Sequence, residues 1–283
     1  MQALSALLHN THLSGFITGR IYTGEGKRFC VPGLHCYSCP GALGACPIGS
    51  LQNALGAMRF RVPYYVMGFL LLFGTLLGRA VCGFLCPFGF LQDLLYRIPL
   101  PARIRKARRL RTFRGDKPLR LVKYGVLALL VLLLPLAVKR TPFYCKYLCP
   151  SGTLAGWMLM LGDRRLRALA GGLFGWKTLV LAAVLLAGLL LYRPFCKYLC
   201  PLGAFYALFN RVAAVRLEVS TDRCTRCGRC ETVCGMAVNP AVQPNAAECI
   251  RCGACVSACP HNAIEWVHPL LPARGQQEQN EKP

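Results

Sequence analysis

Three times in this chain a pair of cysteines four residues apart runs straight into Pro-x-Gly: Cys82 to Gly89, Cys145 to Gly152 and Cys196 to Gly203. Cys46-Pro47-Ile48-Gly49 carries the shorter core of the same motif. Cysteines at this spacing lie one helical turn apart on one face, so both thiolates can reach one metal centre. Proline then suits the first turn of a new helix, where its missing N–H costs no hydrogen bond. The motif therefore predicts a helix end, a ligand corner and a second helix. Short helices are expected after three corners, near Phe88 to Ile98, Thr153 to Leu161 and Ala204 to Val212.

Apolar runs lead into the corners. Val62 to Val81 holds one charge, Arg79; Val126 to Val138 holds none; Thr178 to Tyr192 holds none. Extended past single lysines, each approaches the ~20 residues that cross a bilayer core. With 54% hydrophobic residues the chain reads as a membrane protein. The expected fold is mainly α, about a four-helix transmembrane bundle built as a parallel repeat with Cys-x3-Cys-Pro corners. The first membrane repeat is residues 1–100, with spans near 1–17 and 62–81; the second is 119–215, with spans near 119–138 and 173–192. Residues 101–118 form a basic cytoplasmic loop between them, since nine basic residues from Arg97 to Lys117 face Asp116 alone. The net charge of +23 is not laid on any nucleic-acid-binding motif, so nucleic acid is not an expected partner; the lipid bilayer is.

Counting spans sorts the corners by side. The Cys30 to Cys46 loop and Cys145/Cys149 fall on one face, Cys82/Cys86 and Cys196/Cys200 on the other. A pseudo-twofold then gathers Cys82, Cys86, Cys196 and Cys200 into an inner four-thiolate set for an iron–sulfur cluster. The outer set joins Cys145, Cys149 and Cys46 to Cys39, with Cys36 as the alternative to Cys39. Cys30 is left over. His9 and His12 could be imagined as haem ligands but suit an interfacial role better.

After Arg216 the composition changes. Cys224, Cys227, Cys230 and Cys234, then Cys249, Cys252, Cys255 and Cys259-Pro260, have the spacing of a two-cluster ferredoxin, where the fourth cysteine of each run crosses to the other cluster. Cys224, Cys227, Cys230 and Cys259 form one [4Fe–4S] ligand set; Cys249, Cys252, Cys255 and Cys234 form the second. Zinc sites pair two CxxC units or end in histidines, which this is not. Residues 216–267 are thus a small α+β ferredoxin domain and 268–283 a disordered tail. Cys234 is followed by Gly235 where proline is usual. No nucleophile with a paired base, phosphate loop or dinucleotide fingerprint is evident, so the chain shows no independent catalytic site.

Cys82-Gly-Phe-Leu-Cys86-Pro87, Cys196-Lys-Tyr-Leu-Cys200-Pro201 and the paired C-terminal runs, in this order, resemble the NapH-type membrane iron–sulfur proteins, or polyferredoxins, related to the membrane part of NosR-like proteins. The resemblance implies a multi-pass protein of the cytoplasmic (inner) membrane with a cytoplasmic ferredoxin domain, exchanging electrons between the quinone pool or a soluble carrier and a redox partner. Cys145/Cys149 and the loop at Cys36 and Cys39 add ligands to that pattern. The expected function is electron transfer from a cytosolic donor, a ferredoxin or flavoprotein, through a chain of [4Fe–4S] clusters to an extracytoplasmic or membrane partner. The alternatives are a quinol dehydrogenase subunit feeding a partner reductase, and an assembly or metal-reducing maturation factor.

Overall fold

A computed structural model describes residues 1–57, 64–99, 101, 115–138, 141–162, 167–168 and 170–268. Most of the basic loop at 101–118 and nearly all of the tail at 268–283 lie outside the described residues. Among the described residues the regular structure is helical apart from one antiparallel pair of strands. In order it forms α1 Gln2–His9, α2 Ser14–Thr18, α3 Pro47–Gly56, α4 Tyr64–Leu77, α5 Ala80–Phe84, α6 Pro87–Arg97 and α7 Asp116–Ala137. These are followed by α8 Phe143–Tyr147, α9 Pro150–Gly162, α10 Gly172–Leu190, α11 Pro194–Tyr198, α12 Pro201–Phe209, β1 Arg216–Val219, α13 Arg229–Val233, α14 Ala254–Ala258 and β2 Ile264–Val267.

The helices expected after the corners are present, and each starts on its proline: α6, α9 and α12. Two helices among the described residues, α7 and α10, have the length and composition to cross a membrane. Only 28% and 17% of their apolar windows are buried, so neither is the enclosed helix of a soluble core. Leu129, Leu133, Leu179 and Leu186 point outward, a surface that suits lipid. Inside α7 the segment Leu127–Leu133 widens to a π-helix just before Pro135, whose missing N–H would otherwise break the ladder.

The first expected span is a broken one. Asn10 ends α1 by donating its backbone N–H to Leu7 O (2.9 Å) and its side-chain amide to Ala6 O (2.8 Å). Neither α1 nor α2 can bridge a hydrocarbon core of ~30 Å. The run at 62–81 also divides: α4 stops at Gly78, whose φ of 54° favours glycine, and α5 turns away. α10 is instead flanked by two short helices, α9 through Trp157 Nε1 to Thr178 Oγ1 (3.2 Å) and α6 through Leu95 against Gly188.

Residues 216–268 form a small lobe closed by antiparallel β1 and β2, in register from Arg216 opposite Val267 to Val219 opposite Ile264. Its two halves repeat one backbone. Arg226 and Arg251, each just before a cysteine, have φ of 54° and 52°; Ala237 and Asn262, each three residues past one, have 53° and 47°. The lobe is locked to the helices by buried polar groups. Arg79 donates to Glu248 Oε2 (2.7 Å) and Ala247 O (2.9 Å); Lys123 Nζ reaches Glu248 Oε1 at 2.5 Å. Asn210 donates to Ala246 O and Cys249 O, and Arg251 donates to Leu77 O (2.9 Å). Burial alone would push the Glu248 carboxyl up, but Arg79 and Lys123 hold it below its ordinary range.

Candidate metal centres

Every corner is built the same way. The first cysteine sits on a one-turn helix, and the second closes back on it: Cys86 N to Val81 O, Cys149 N to Tyr144 O and Cys200 N to Phe195 O lie at 3.1, 3.0 and 2.9 Å. The second cysteine is then the N-cap of the next helix, with extended backbone at Cys46, Cys86 and Cys200. Its sulfur accepts the N–H of the glycine three residues on. Gly152 N and Gly203 N lie 3.4 and 3.3 Å from Cys149 Sγ and Cys200 Sγ, and Gly49 and Gly89 donate likewise to Cys46 and Cys86. Proline at the first helical position and glycine at the third thus aim a helix N-terminus at a thiolate, which favours its charge.

The structure gathers Cys82, Cys86, Cys196 and Cys200, all 5% exposed or less. Burial, then the neighbouring Cys196 and Cys82, push Cys86 up to about 12; burial, then Cys196, Cys82 and Cys86, raise Cys200 as well. Two arginines, each three residues before a corner, cross between the repeats: Arg193 donates to Cys82 O (2.5 Å) and Arg79 to Cys196 O (3.1 Å). Asp93 holds the Arg193 guanidinium in place.

The second set is Cys46, Cys145, Cys149 and Cys36, around a cavity of about 410 Å³ that they line together with Gly49 and Gly152. Burial, Cys36 and Cys46 push Cys149 up to about 12, and burial pushes Cys46 up to about 11. The thiol of Cys39, first choice in the sequence reading, turns instead to Asn10 Oδ1 (3.5 Å) and packs beside Ala42 and Ala155. Cys36 lies across Gly152 from Cys149: a Cβ at Gly152 would stand 3.7 Å from Cys36 Sγ and 3.8 Å from Cys149 Sγ. Cys30 stays apart, its segment bridged to Ala45 and its N–H on Tyr65 Oη (3.2 Å). His12 pairs with Pro40 O (2.9 Å) and His9 with Ser5 Oγ.

In the C-terminal lobe Cys224, Cys227, Cys230 and Cys259 line one cavity of about 460 Å³. Cys234 lies with the other run: burial, then Cys249, Cys252 and Cys234, push Cys255 up to about 12. Gly235 fits tightly under the Tyr192 ring, where a Cβ would meet Cδ1 at 2.5 Å. A proline here would carry its Cβ into that ring.

These sets fit [4Fe–4S] groups. Among the described residues no three ligands converge tightly enough for a single metal ion. A four-iron core is broader, and it neutralises thiolates that burial alone would keep protonated. At Gly49 and Gly152 a Cβ would meet only cysteine atoms, at 3.7 to 4.0 Å, along the cavity that their set lines.

The sets also form a row. Gly83, between Cys82 and Cys86, packs so closely on Ile250, between Cys249 and Cys252, that a Cβ there would lie 2.5 Å from Ile250 O. Farther along, the N–H of Leu34 is directed at Cys86 and that of the next residue, His35, at Cys46. Consecutive Cα atoms are only ~3.8 Å apart. The two membrane sets are therefore neighbours, not centres on opposite faces as span counting had suggested.

Fold and site define a 4Fe–4S binding protein, and a family described as "4Fe-4S binding domain" matches residues 62–110, 124–168 and 173–220, with a second model of the same description at 242–265. The chain belongs to this 4Fe-4S family and is of the NapH type. It is 31% identical over 194 residues to the methylamine utilization ferredoxin-type protein MauN of Methylorubrum extorquens, covering 68% of this chain and 55% of that one. It is 29% identical to an uncharacterized protein of Methanocaldococcus jannaschii, covering 67% of this chain and 64% of that one. Protein NirI of Paracoccus denitrificans is 30% identical, over 59% of this chain and 23% of its own length. No solved structure matches it.

Proposed function

We propose that this chain is a fixed electron conduit in the cytoplasmic membrane, with four cysteine sets each holding a [4Fe–4S] group. The order is Cys224/Cys227/Cys230/Cys259, Cys249/Cys252/Cys255/Cys234, Cys82/Cys86/Cys196/Cys200, then Cys36/Cys46/Cys145/Cys149. Such groups, when bound, accept and release single electrons. The observation that carries the reading is the unbroken row: Gly83 against Ile250 at one joint, Leu34 and His35 at the next. The chain's own part is to bury the thiols, aim N–H groups at them and lock the lobe to the helices through Arg79, Asn210 and Arg251. A cytosolic ferredoxin or flavoprotein would meet the C-terminal lobe, and a membrane or extracytoplasmic redox partner the set at Cys36. Iron and acid-labile sulfide analysis of anaerobically purified protein should give about 16 iron per chain. Fewer than three distinct iron–sulfur signals by EPR would defeat the proposal.

A second reading, a lipophilic reductant such as quinol, has one specific observation in its favour. An apolar cavity of about 200 Å³ lies between the membrane sets, lined by Phe88, Leu91, Leu154 and His35. His35 is buried, and its Nε2 has no hydrogen-bond partner. Reduction of the membrane sets by quinol in liposomes, with the ferredoxin lobe's cysteines replaced, would favour this route over a soluble donor.

A further inference from the structure

The corner motif extends further than its cysteines. Cys46-Pro-Ile-Gly-Ser-Leu-Gln52 and Cys86-Pro-Phe-Gly-Phe-Leu-Gln92 both end on a glutamine six residues past the cysteine, and both glutamines are buried, at 1% and 0% exposure. Their side chains make the same three contacts. Gln92 Nε2 donates to Cys196 Sγ (3.1 Å) and Phe88 O (3.4 Å), while its Oε1 accepts Phe195 N (3.2 Å). Gln52 Nε2 donates to Cys145 Sγ (3.4 Å) and Ile48 O (3.3 Å), while its Oε1 accepts Tyr144 N (3.0 Å). Only this orientation of each amide matches donors with acceptors. Each glutamine therefore leaves its own corner and addresses the first cysteine of the partner corner in the other repeat.

We propose that Gln52 and Gln92 are equivalent positioning residues that raise the reduction potential of the two membrane centres, acting through Cys145 and Cys196. The inference rests on the reading that each set holds a cluster. Reduction adds negative charge that spreads onto the thiolates, and a donor on a thiolate sulfur stabilises that state. A neutral amide does so without adding a buried charge. A mere strut between the repeats would need only the oxygen that accepts Phe195 N or Tyr144 N. The other two corners show that the turn itself does not require glutamine: Ala155 and Tyr206 hold the equivalent places, and Tyr206 Oη donates to Pro32 O (3.0 Å) and not to a thiol. Each centre thus receives one amide donor, from the N-terminal repeat.

The test is an EPR redox titration of the purified full-length chain with Gln92→Glu and Gln52→Glu, which keep the accepting oxygen, and with Gln92→Met and Gln52→Met, which remove both functions. In the glutamate variants one centre, a different one for each position, should lose at least tenfold in its reduction equilibrium, about 59 mV for one electron, more than any shift at the other centres. Unchanged midpoints at full iron content would overturn the inference and leave the conduit intact. Loss of the affected cluster in all four variants would mark the glutamines as struts and overturn it too. Wild-type protein with only the ferredoxin lobe's iron would instead sink the proposed function itself.

Discussion

At the scale of single residues, Cys36 and Cys39 were nearly interchangeable in the sequence. They sit three apart in one irregular loop, and only Cys39 has proline after it. Packing separates them: Asn10 draws the Cys39 thiol away, while Cys36 faces Cys149 across Gly152. Cys36→Ser should therefore remove about four iron atoms per chain, one cluster's worth, whereas Cys39→Ser should leave the iron count unchanged. Loss of iron in the second variant and not the first would reverse the assignment. The crossed arginines, the paired glutamines and the lobe contacts of Asn210 were invisible beforehand. Each acts on a residue more than 35 positions away, and nothing local marks it.

At the scale of elements, corners were the most legible part of the chain. Cys-Pro-x-Gly writes its own geometry in neighbouring residues: an N-cap, a proline at the first helical position and a glycine whose N–H reaches the sulfur. The glycine was the part left unexplained. Its place is beside the thiols at ordinary contact distance: a Cβ at Gly49 would lie 3.8 Å from Cys145 Sγ and one at Gly152 equally near Cys149 Sγ, so an added methyl would compete for room only with a bound cluster. Gly152→Ala should accordingly lower iron occupancy at the Cys36 set. Gly175→Ala, on an open stretch of α10 with nothing within 4 Å, should leave occupancy intact and stabilise the helix by about 0.5–1 kcal/mol. Equal iron in both variants would remove the steric argument. Spans were read less well, because hydropathy averages over a window while a helix ends on single groups such as the Asn10 amide and the left-handed Gly78.

At the scale of the whole molecule, the C-terminal lobe was legible as a ferredoxin-like unit, since its two cysteine runs lie close in sequence. Its attachment was not, because Arg79, Lys123 and Glu248 come from three distant segments. The attachment is also what the row of thiol sets depends on. Gly83→Ala places a methyl within 2.5 Å of Ile250 O and must push the lobe from the corner. Iron should be retained at both sites, while flash-initiated electron transfer from the lobe to the membrane centres slows by about tenfold or more; an unchanged rate would show that the close contact is dispensable.

The pairing of Leu34 with Cys86 and of His35 with Cys46 has one more outcome. With a cluster in each set as proposed, two sites held by adjoining peptide units would be coupled, because a negative charge resident on the first repels a second arrival next door. Traffic through the pair would go single file, and the protein would meter its cargo one unit at a time however crowded the supply.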